Sequence, residues 1–331
     1  MWNSVQCAIQ GRSHVKTGIP CQDKTFCLNE NGVYVIALAD GAGSAKMSHY
    51  GAEVVSKKIC HILASKFEAF YNESDGVAIK RVIIGDLIKE LEIFSENQEC
   101  EIKELASTLL SVAVRNGKYI IVHIGDGVIG YVKNNELRIA SFPENGEFIN
   151  TTIFVTSKDA LGTMKLMKGE LKGITGFVLM SDGTEISLYD KRNKTLVPVL
   201  KKLMDLSQKI DCKYLQSEIE KGFQNVIKKT MDDCSLIMLV EEDYLFKGYN
   251  HLTMSEKKIM FEMKNQKNCG KRIKRYDEIL EYASSPKNIL QISKKVHLKP
   301  KYCVRHINLL LEKNLLVRDG KLVNTAIIMD K

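Results

Sequence analysis

Apolar runs of strand length recur along the first 241 residues, and several of them border on aspartate. The runs GVYVIALAD, KYIIVHIGD and GFVLMSD end on Asp40, Asp126 and Asp182. In MDDCSLIMLVEE the order is reversed, because Asp232 and Asp233 precede the apolar run. Neighbouring antiparallel strands place the end of one beside the start of the next. We therefore expect these carboxylates to meet at one edge of a sheet.

Two longer segments between the strands have helical spacing of their apolar residues, which predicts amphipathic helices with a core-facing stripe. The predicted core positions are Val55, Ile59, Ile62, Leu63, Phe67, Phe70, Val82, Ile83, Leu87 and Leu91.

The aspartates allow two interpretations from the residues alone. An Asp-Gly pair after a strand is an ordinary turn signal, and Asp40, Asp126 and Asp182 are each followed by glycine. Carboxylates gathered at one point, however, repel each other unless a cation compensates them. Oxygen ligands of this kind favour magnesium or manganese. Independent turns and a metal site thus remain alternatives at this point.

Composition bounds the class of protein. A chain of 331 residues with 44% apolar residues predicts about two globular domains. No apolar stretch approaches the roughly 18 residues of a membrane helix, so we expect no membrane partner. The N-terminus has no basic start followed by an apolar block, and the nine cysteines form no paired metal-type spacing. We therefore predict a reduced, cytoplasmic protein.

Charge divides the chain into two parts. Residues 246–331 contain 19 lysines and arginines against 8 aspartates and glutamates, whereas the preceding residues are slightly acidic. Such asymmetry indicates two modules with different partners. We place the first domain at residues 1–243 and a small basic domain at residues 249–331.

Six segments in the first domain resemble the bacterial branch of the metal-dependent type-2C (PPM-type) protein serine/threonine phosphatases. In chain order they are GIPCQD, ALADGAGS with GAE after it, STLLSVAV, VHIGDG, LMSDG and MDDCSLIML. The stretch FPENGEFINTT, residues 142–152, is similar to a segment typical of that branch. The resemblance covers residues 5–241 and implies an α+β fold. This fold is a four-layer α-β-β-α sandwich of two antiparallel sheets, with a metal centre at one edge.

The resemblance also implies the site and its chemistry. The centre would hold two Mg²⁺ or Mn²⁺ ions, with a third, weaker ion at Asp126. A bridging hydroxide would attack the phosphorus of phosphoserine or phosphothreonine in line. The implied metal-site residues are Asp40 as the bridge, Gly41 through its carbonyl, Asp182, Asp232, Asp23 through metal-bound water, and Asp126.

Two positions depart from the family pattern. Gln22 stands where the family commonly has glutamate, so it can hydrogen-bond a metal-bound water but brings no charge. The phosphate-binding arginine of the family lies closer to the acidic pair than any arginine does here, and Arg12 and His14 are the nearest candidates. His14 is equally well explained as a plain surface histidine. Asp233 is not assigned as a ligand.

The basic domain has a pattern of helix, helix, turn, helix and hairpin that looks like a winged helix-turn-helix. The third helix begins near Pro300, and Asp319-Gly320 marks the turn of the hairpin. In that interpretation the residues expected to face duplex DNA are Lys299, Lys301, Tyr302, Arg305 and His306. Many such domains bind proteins instead, so DNA and a protein partner remain alternatives.

Two functions follow from these observations. In the first, the chain is a protein phosphatase with a basic targeting or regulatory module, a phosphoprotein substrate and a cognate kinase. In the second, it is a DNA-binding regulator whose phosphatase-like domain is a catalytically weak sensor. A third chemistry is rejected: CGKRIKR, residues 269–275, has the Cys-to-Arg spacing of cysteine phosphatases, but no apolar strand precedes it.

Overall fold

The structure is a computed structural model that describes residues 2–143, 152–208, 212–241, 249, 252–261, 263, 268–313 and 315–325. Residues 144–151 of the segment 142–152, and the predicted domain join, lie outside this description. The chain divides into two units, Met1–Met204 with Gln216–Glu241 and Asp205–Leu215 with Glu242–Lys331. No helix among the described residues is long and apolar enough to span a bilayer.

Twelve strands and seven α-helices are described before residue 242. The strands are β1 (Trp2–Ile9), β2 (Asp23–Glu30), β3 (Val33–Asp40), β4 (Leu109–Arg115), β5 (Lys118–Ile124), β6 (Val128–Lys133), β7 (Glu136–Ser141), β8 (Lys165–Glu170), β9 (Ile174–Met180), β10 (Tyr189–Asp190), β11 (Thr195–Leu196) and β12 (Cys234–Glu241). The helices are α1 (Arg12–Thr17), α2 (Ser48–Asn72), α3 (Gly76–Asn97), α4 (Ala160–Thr163), α5 (Glu185–Leu188), α6 (Pro198–Ser207) and α7 (Cys212–Val226).

Two five-stranded antiparallel sheets form the body of the first unit, with strand orders β1-β12-β9-β6-β7 and β2-β3-β4-β5-β8. Strand β3 shows how the layers are built, since its side chains alternate between two cores. Ile36 and Leu38 pack in the core that contains Phe177 and Ile237 of the other sheet. Val35, on the opposite face, packs in the core beneath α2 and α3. The predicted pair of antiparallel sheets is confirmed.

The core stripe of α2 is buried as predicted, whereas one predicted position of α3 is wrong. Val82 is 39% exposed, while Ile83, Leu87 and Leu91 are fully buried. The buried stripe of α3 begins one turn earlier at Ile79, and Val82 lies beside it on the solvent side. Spacing alone did not separate the centre of the stripe from its flank.

A two-residue hairpin sets the register between β2 and β3. Asn31 and Gly32 both have positive φ, of 53° and 73°, as a tight primed turn requires. From this turn the two strands pair without a bulge over their whole length. The last pair opposes Asp23 and Asp40, so two of the predicted site residues are direct cross-strand neighbours.

The second unit has its own apolar core, which includes Tyr276, Ile292 and Ile307. Its described elements are α8 (Met254–Met260), α9 (Cys269–Tyr282), β13 (Lys287–Asn288), α10 (Ile289–Lys295), α11 (Pro300–Glu312), β14 (Leu316–Asp319) and β15 (Leu322–Thr325). The strands form one sheet in the order β13-β15-β14. The sequence predicts a first helix over YDEILEYASS, which begins at Tyr276, whereas α9 begins seven residues earlier at Cys269. The segment CGKRIKR is therefore helical and forms no phosphate loop.

Candidate metal centre

Asp40 ends β3 at a backbone junction that fixes its position. Its N–H donates to Thr108 Oγ1 at 2.9 Å, and its carbonyl accepts from the N–H of Thr108 at 2.8 Å. The next residue, Gly41, donates its N–H to the carbonyl of Gln22 at 3.2 Å. A Cβ at Gly41 would lie 2.8 Å from the backbone of Ser48. Glycine is therefore required by the close approach of α2.

Asp182 reaches the same place from the other sheet. It opens a short 3₁₀ turn, Asp182–Thr184, directly after β9. A Cβ at Gly183 would lie 1.8 Å from the carbonyl oxygen of Asp233, so this turn packs onto the chain that leads into β12. The end of β9 and the start of β12, which are antiparallel neighbours, thus meet as predicted. The prediction of one sheet edge is wrong for Asp40, because β3 belongs to the other sheet and Asp40 interacts with Asp182 and Asp232 across the two sheets.

The carboxylates interact strongly where they meet. Burial raises the pKa of Asp40 well above its usual range, and the negative charges of Asp23, Asp182 and Asp232 raise it further. Burial likewise raises the pKa of Asp23 to about 7, against the lowering effect of the hydrogen bond from Ser181. Four of the predicted aspartates therefore share one electrostatic environment, in which the neighbouring negative charges favour the protonated form of Asp40.

The hydrogen bonds of Asp23 leave one oxygen for another ligand. Asp23 Oδ2 accepts from Ser181 Oγ at 2.7 Å. Asp23 Oδ1 is buried and has no hydrogen-bond partner among the described residues. A buried oxygen without a partner is costly, and a cation or its bound water would satisfy it.

Asp233 has a role that the sequence interpretation missed. This residue is 2% exposed, and its two oxygens accept the N–H groups of Gly11 at 2.5 Å and Gln22 at 2.6 Å. His14 Nδ1 lies 2.9 Å from Asp233 Oδ1. Asp233 thus ties the segments before and after α1 to the start of β12. One signal in the sequence could have separated its role from that of Asp232. Successive side chains of a strand point to opposite faces, so two adjacent acidic residues at a strand start are expected to have different partners.

The remaining candidates have different surroundings. Gln22 is 3% exposed and donates from Nε2 to Ser48 Oγ at 2.7 Å. Arg12 is exposed at the start of α1 and donates from Nε to the carbonyl of Thr230 at 3.0 Å. Asp126 accepts from Thr152 Oγ1 at 2.6 Å, and no described contact joins it to the other carboxylates.

The donor set fits a hard divalent cation. The converging groups are carboxylate oxygens, which Mg²⁺ and Mn²⁺ prefer; the pKa values of Asp23 and Asp40 are raised, and one oxygen of Asp23 is unpartnered among the described residues. In the part of the chain that the structure describes, no group of three or more His, Cys, Asp or Glu is already arranged to coordinate an ion. The assignments of individual ligands stay predictions.

Comparisons with known proteins identify the family of this chain. A sequence profile of the family described as protein phosphatase 2C matches residues 10–221. Serine/threonine-protein phosphatase 3 of Escherichia coli (strain K12) is 24% identical over 169 residues, which is 50% of this chain and 66% of that protein. The match thus spans slightly less than two thirds of that relative.

Solved structures show the same fold in the first unit. The serine/threonine phosphatase Stp1 from Staphylococcus aureus superimposes with a TM-score of 0.52 at 16% identity, over 73% of this chain and 96% of that one. The catalytic domain of the phosphatase PstP, solved with two manganese ions, gives a TM-score of 0.51 at 15% identity, over 73% and 99%. At such identities the likeness concerns the fold.

Proposed function

Because this chain belongs to the protein phosphatase 2C family, whose members are serine/threonine phosphatases and hence hydrolases, we propose that it dephosphorylates phosphoserine and phosphothreonine in a protein substrate. The observation that carries the proposal is the convergence of Asp23, Asp40, Asp182 and Asp232, where burial and neighbouring carboxylates raise the pKa values of Asp23 and Asp40. The likeness to the manganese-containing PstP supports a metal-dependent reaction at this place.

The residues of the chain would divide the work as follows. Asp40, Asp182 and Asp232 would hold two Mg²⁺ or Mn²⁺ ions, together with the carbonyl of Gly41. When bound, the ions supply positive charge that activates a water molecule and neutralises the phosphoryl oxygens. Asp23 would orient water through its unpartnered Oδ1.

Two further side chains would bind the substrate phosphate and a nearby water molecule. Gln22 is held by Ser48 beside the centre, where its amide can position a water molecule without adding charge. The guanidinium of Arg12, bonded on its Nε side, would offer its other N–H groups to the substrate phosphate. A third ion at Asp126 is also part of this proposal.

The decisive experiment is hydrolysis of a phosphothreonine peptide with Mn²⁺, with Mg²⁺ and with chelator. We expect activity only with metal, and a loss of orders of magnitude in Asp40→Asn and Asp232→Asn. The matched control is Asp75→Asn, because Asp75 caps α3 and asparagine caps equally well. Wild-type activity in chelator, or in either site variant, would refute the two-metal assignment.

We also propose a four-layer arrangement for the first unit, a cellular location for the protein and bounds for its two domains. A Cβ at Gly176 would lie 2.8 Å from Met204 Cε, which supports α6 as part of an outer helical layer of a four-layer sandwich. A cytoplasmic protein opposed by a cognate kinase is the setting that fits a phosphoprotein phosphatase. We propose, from the charge asymmetry of the sequence, that the chain divides into domains at residues 1–243 and 249–331.

The second candidate function concerns the second unit, which we propose is a winged helix-turn-helix that binds duplex DNA. Lys299, Lys301, Tyr302 and Arg305 are exposed at the start of α11, which fits a recognition helix. His306 is half-buried, and its pKa is lowered by burial and by the charges of two arginines of α9. The influence of these arginines on His306 supports a positively charged surface formed by α9 and α11 together.

A salt titration of the full chain with labelled duplex DNA tests this candidate. Binding should weaken as salt rises, and alanine at Lys299, Lys301 and Arg305 together should flatten the log–log slope by about two to three. Phosphatase turnover of a small substrate should stay unchanged in that variant. Absence of binding at low salt, or equal slopes for both proteins, would refute DNA binding.

A further inference from the structure

A groove of about 510 Å³ opens on the surface of the second unit between the start of α10 and the β14–β15 hairpin. Its apolar lining comes from Ile289, Leu290, Leu322 and Val323. Leu290 is 61% exposed and Leu322 is 38% exposed, so two leucines from different elements present apolar surface to one space. Water-exposed apolar surface costs about 25 cal/mol per Å², which favours its coverage by a ligand.

The local sequence explains why these leucines are not in the core. Asn288 caps α10 in a reciprocal capping box with Gln291, which fixes the rotation of the first turn. With Ile292 completely buried on the inner face, Leu290 is turned outward. In β15, Val323 is 2% exposed, and strand alternation places its neighbour Leu322 on the other side. Both exposures are thus fixed by rigid elements.

The charged residues described in the lining of the groove are both basic. Arg318 and Lys321 are its charged lining residues, and no acidic side chain is among the described residues that line it. Arg318 makes a hydrogen bond of 3.4 Å to Asn308 Oδ1, and neither cation has an ion-pair partner in the described part of the chain. A ligand that carries carboxylates next to an apolar side chain would match both features.

The apolar lining distinguishes this surface from a nucleic-acid site. Duplex DNA presents phosphates and polar base edges, and it would leave the two leucines facing charge. The volume lies within the range of about 300–1,000 Å³ that holds small ligands and side chains. A peptide segment can insert an apolar side chain and pair its carboxylates with the rim at the same time.

We propose that this groove, formed by Ile289, Leu290, Leu322 and Val323 with Arg318 and Lys321 at its rim, docks a short segment of a partner protein that combines leucine-like and acidic side chains. This function is separate from phosphoryl hydrolysis and does not depend on it. It gives the second unit a means of bringing a particular protein to the chain.

The test is fluorescence anisotropy of the full chain with a labelled peptide that carries two leucines among glutamates. One comparison peptide has lysine for each glutamate, and another has serine for each leucine. Only the first peptide should bind the wild-type protein. Leu290→Ser and Leu322→Ser should each weaken its binding about tenfold, which corresponds to about 1.4 kcal/mol. The matched control is Val82→Ser, because Val82 is as exposed as Leu322 but lies on α3.

A charge exchange gives a readout that misfolding cannot imitate. Lys321→Glu should lose the glutamate peptide and gain the lysine peptide. The proposal is overturned if no peptide binds, if the wild-type protein binds the lysine peptide equally well, or if the leucine variants bind like the control. Binding of duplex DNA that is lost in Leu290→Ser would assign the groove to nucleic acid and would equally overturn it.

Discussion

Replacing Asp233 by asparagine should destabilise the first unit, although the same replacement at the nearby Asp40 should not. Asp233 accepts two backbone N–H groups, one on each oxygen, at 2.5 and 2.6 Å. Asparagine has one acceptor oxygen, and its NH₂ group would face the second N–H. Asp40, in contrast, sits among carboxylates whose charges raise its pKa, so removal of its charge relieves repulsion in the metal-free protein.

The expected size follows from these contacts. A hydrogen bond to a charged acceptor contributes about 1.5–3 kcal/mol, and an unmet buried donor carries a further penalty. Asp233→Asn would lose one of these hydrogen bonds and would place the NH₂ group of asparagine against a backbone N–H group. We therefore expect it to lower the free energy of unfolding by about 2–4 kcal/mol. This is a large part of a typical stability of about 5–15 kcal/mol.

Urea unfolding in chelator at neutral pH measures the effect. Trp2, the one tryptophan of the chain, lies in β1 and pairs with the end of β12, so its fluorescence reports on the first unit. We expect a lower urea midpoint for Asp233→Asn and an unchanged or higher midpoint for Asp40→Asn. Equal midpoints for Asp233→Asn and the wild type, or shifts of the same sign in both variants, would show that Asp233 does not organise the site.

Three further predictions concern single side chains. Burial lowers the pKa of His123 to about 3, so as pH falls below about 6.5 the unfolded state takes up a proton on this histidine before the folded state does, and the free energy of unfolding decreases. The decrease should reach about 2 kcal/mol at pH 5 and should be absent in His123→Asn, whereas the exposed control His61→Asn should keep it. Burial raises the pKa of Cys234 to about 12, so neither thiol alkylation of the native protein nor Cys234→Ser should change the turnover of an aryl phosphate. A complete loss of turnover would indicate that a thiolate takes part in the reaction. Arg12→Ala should raise the KM for an aryl phosphate several-fold, while Lys16→Ala on the same exposed helix should not; equal KM values would exclude Arg12 from phosphate binding.

Local patterns predicted the parts of the fold that depend on periodicity. The apolar runs before Asp40 and Asp182 and the buried stripe of α2 follow from spacing alone, and antiparallel pairing accounts for the meeting of β9 with β12. The meeting of Asp40 with Asp182 could not be predicted from pairing, because it depends on how the two sheets pack on each other. The role of Asp233 could not be predicted in this way, because its partners Gly11 and Gln22 are more than 200 residues away in sequence. The early start of α9 was missed because its first turns are a basic run with few apolar markers.

The hairpin at Asn31 and Gly32 carries a consequence for how this sequence can change over evolution or by engineering. Asp23 opposes Asp40 only because every residue between them and the turn is paired one to one. A single inserted residue in the turn would shift the register, and a shift by one residue moves side chains to the opposite face of the strand. The length of this remote surface loop is therefore under the same selection as the carboxylates. Libraries that vary loop length should find it intolerant, although it lies at the far end of both strands from the chemistry.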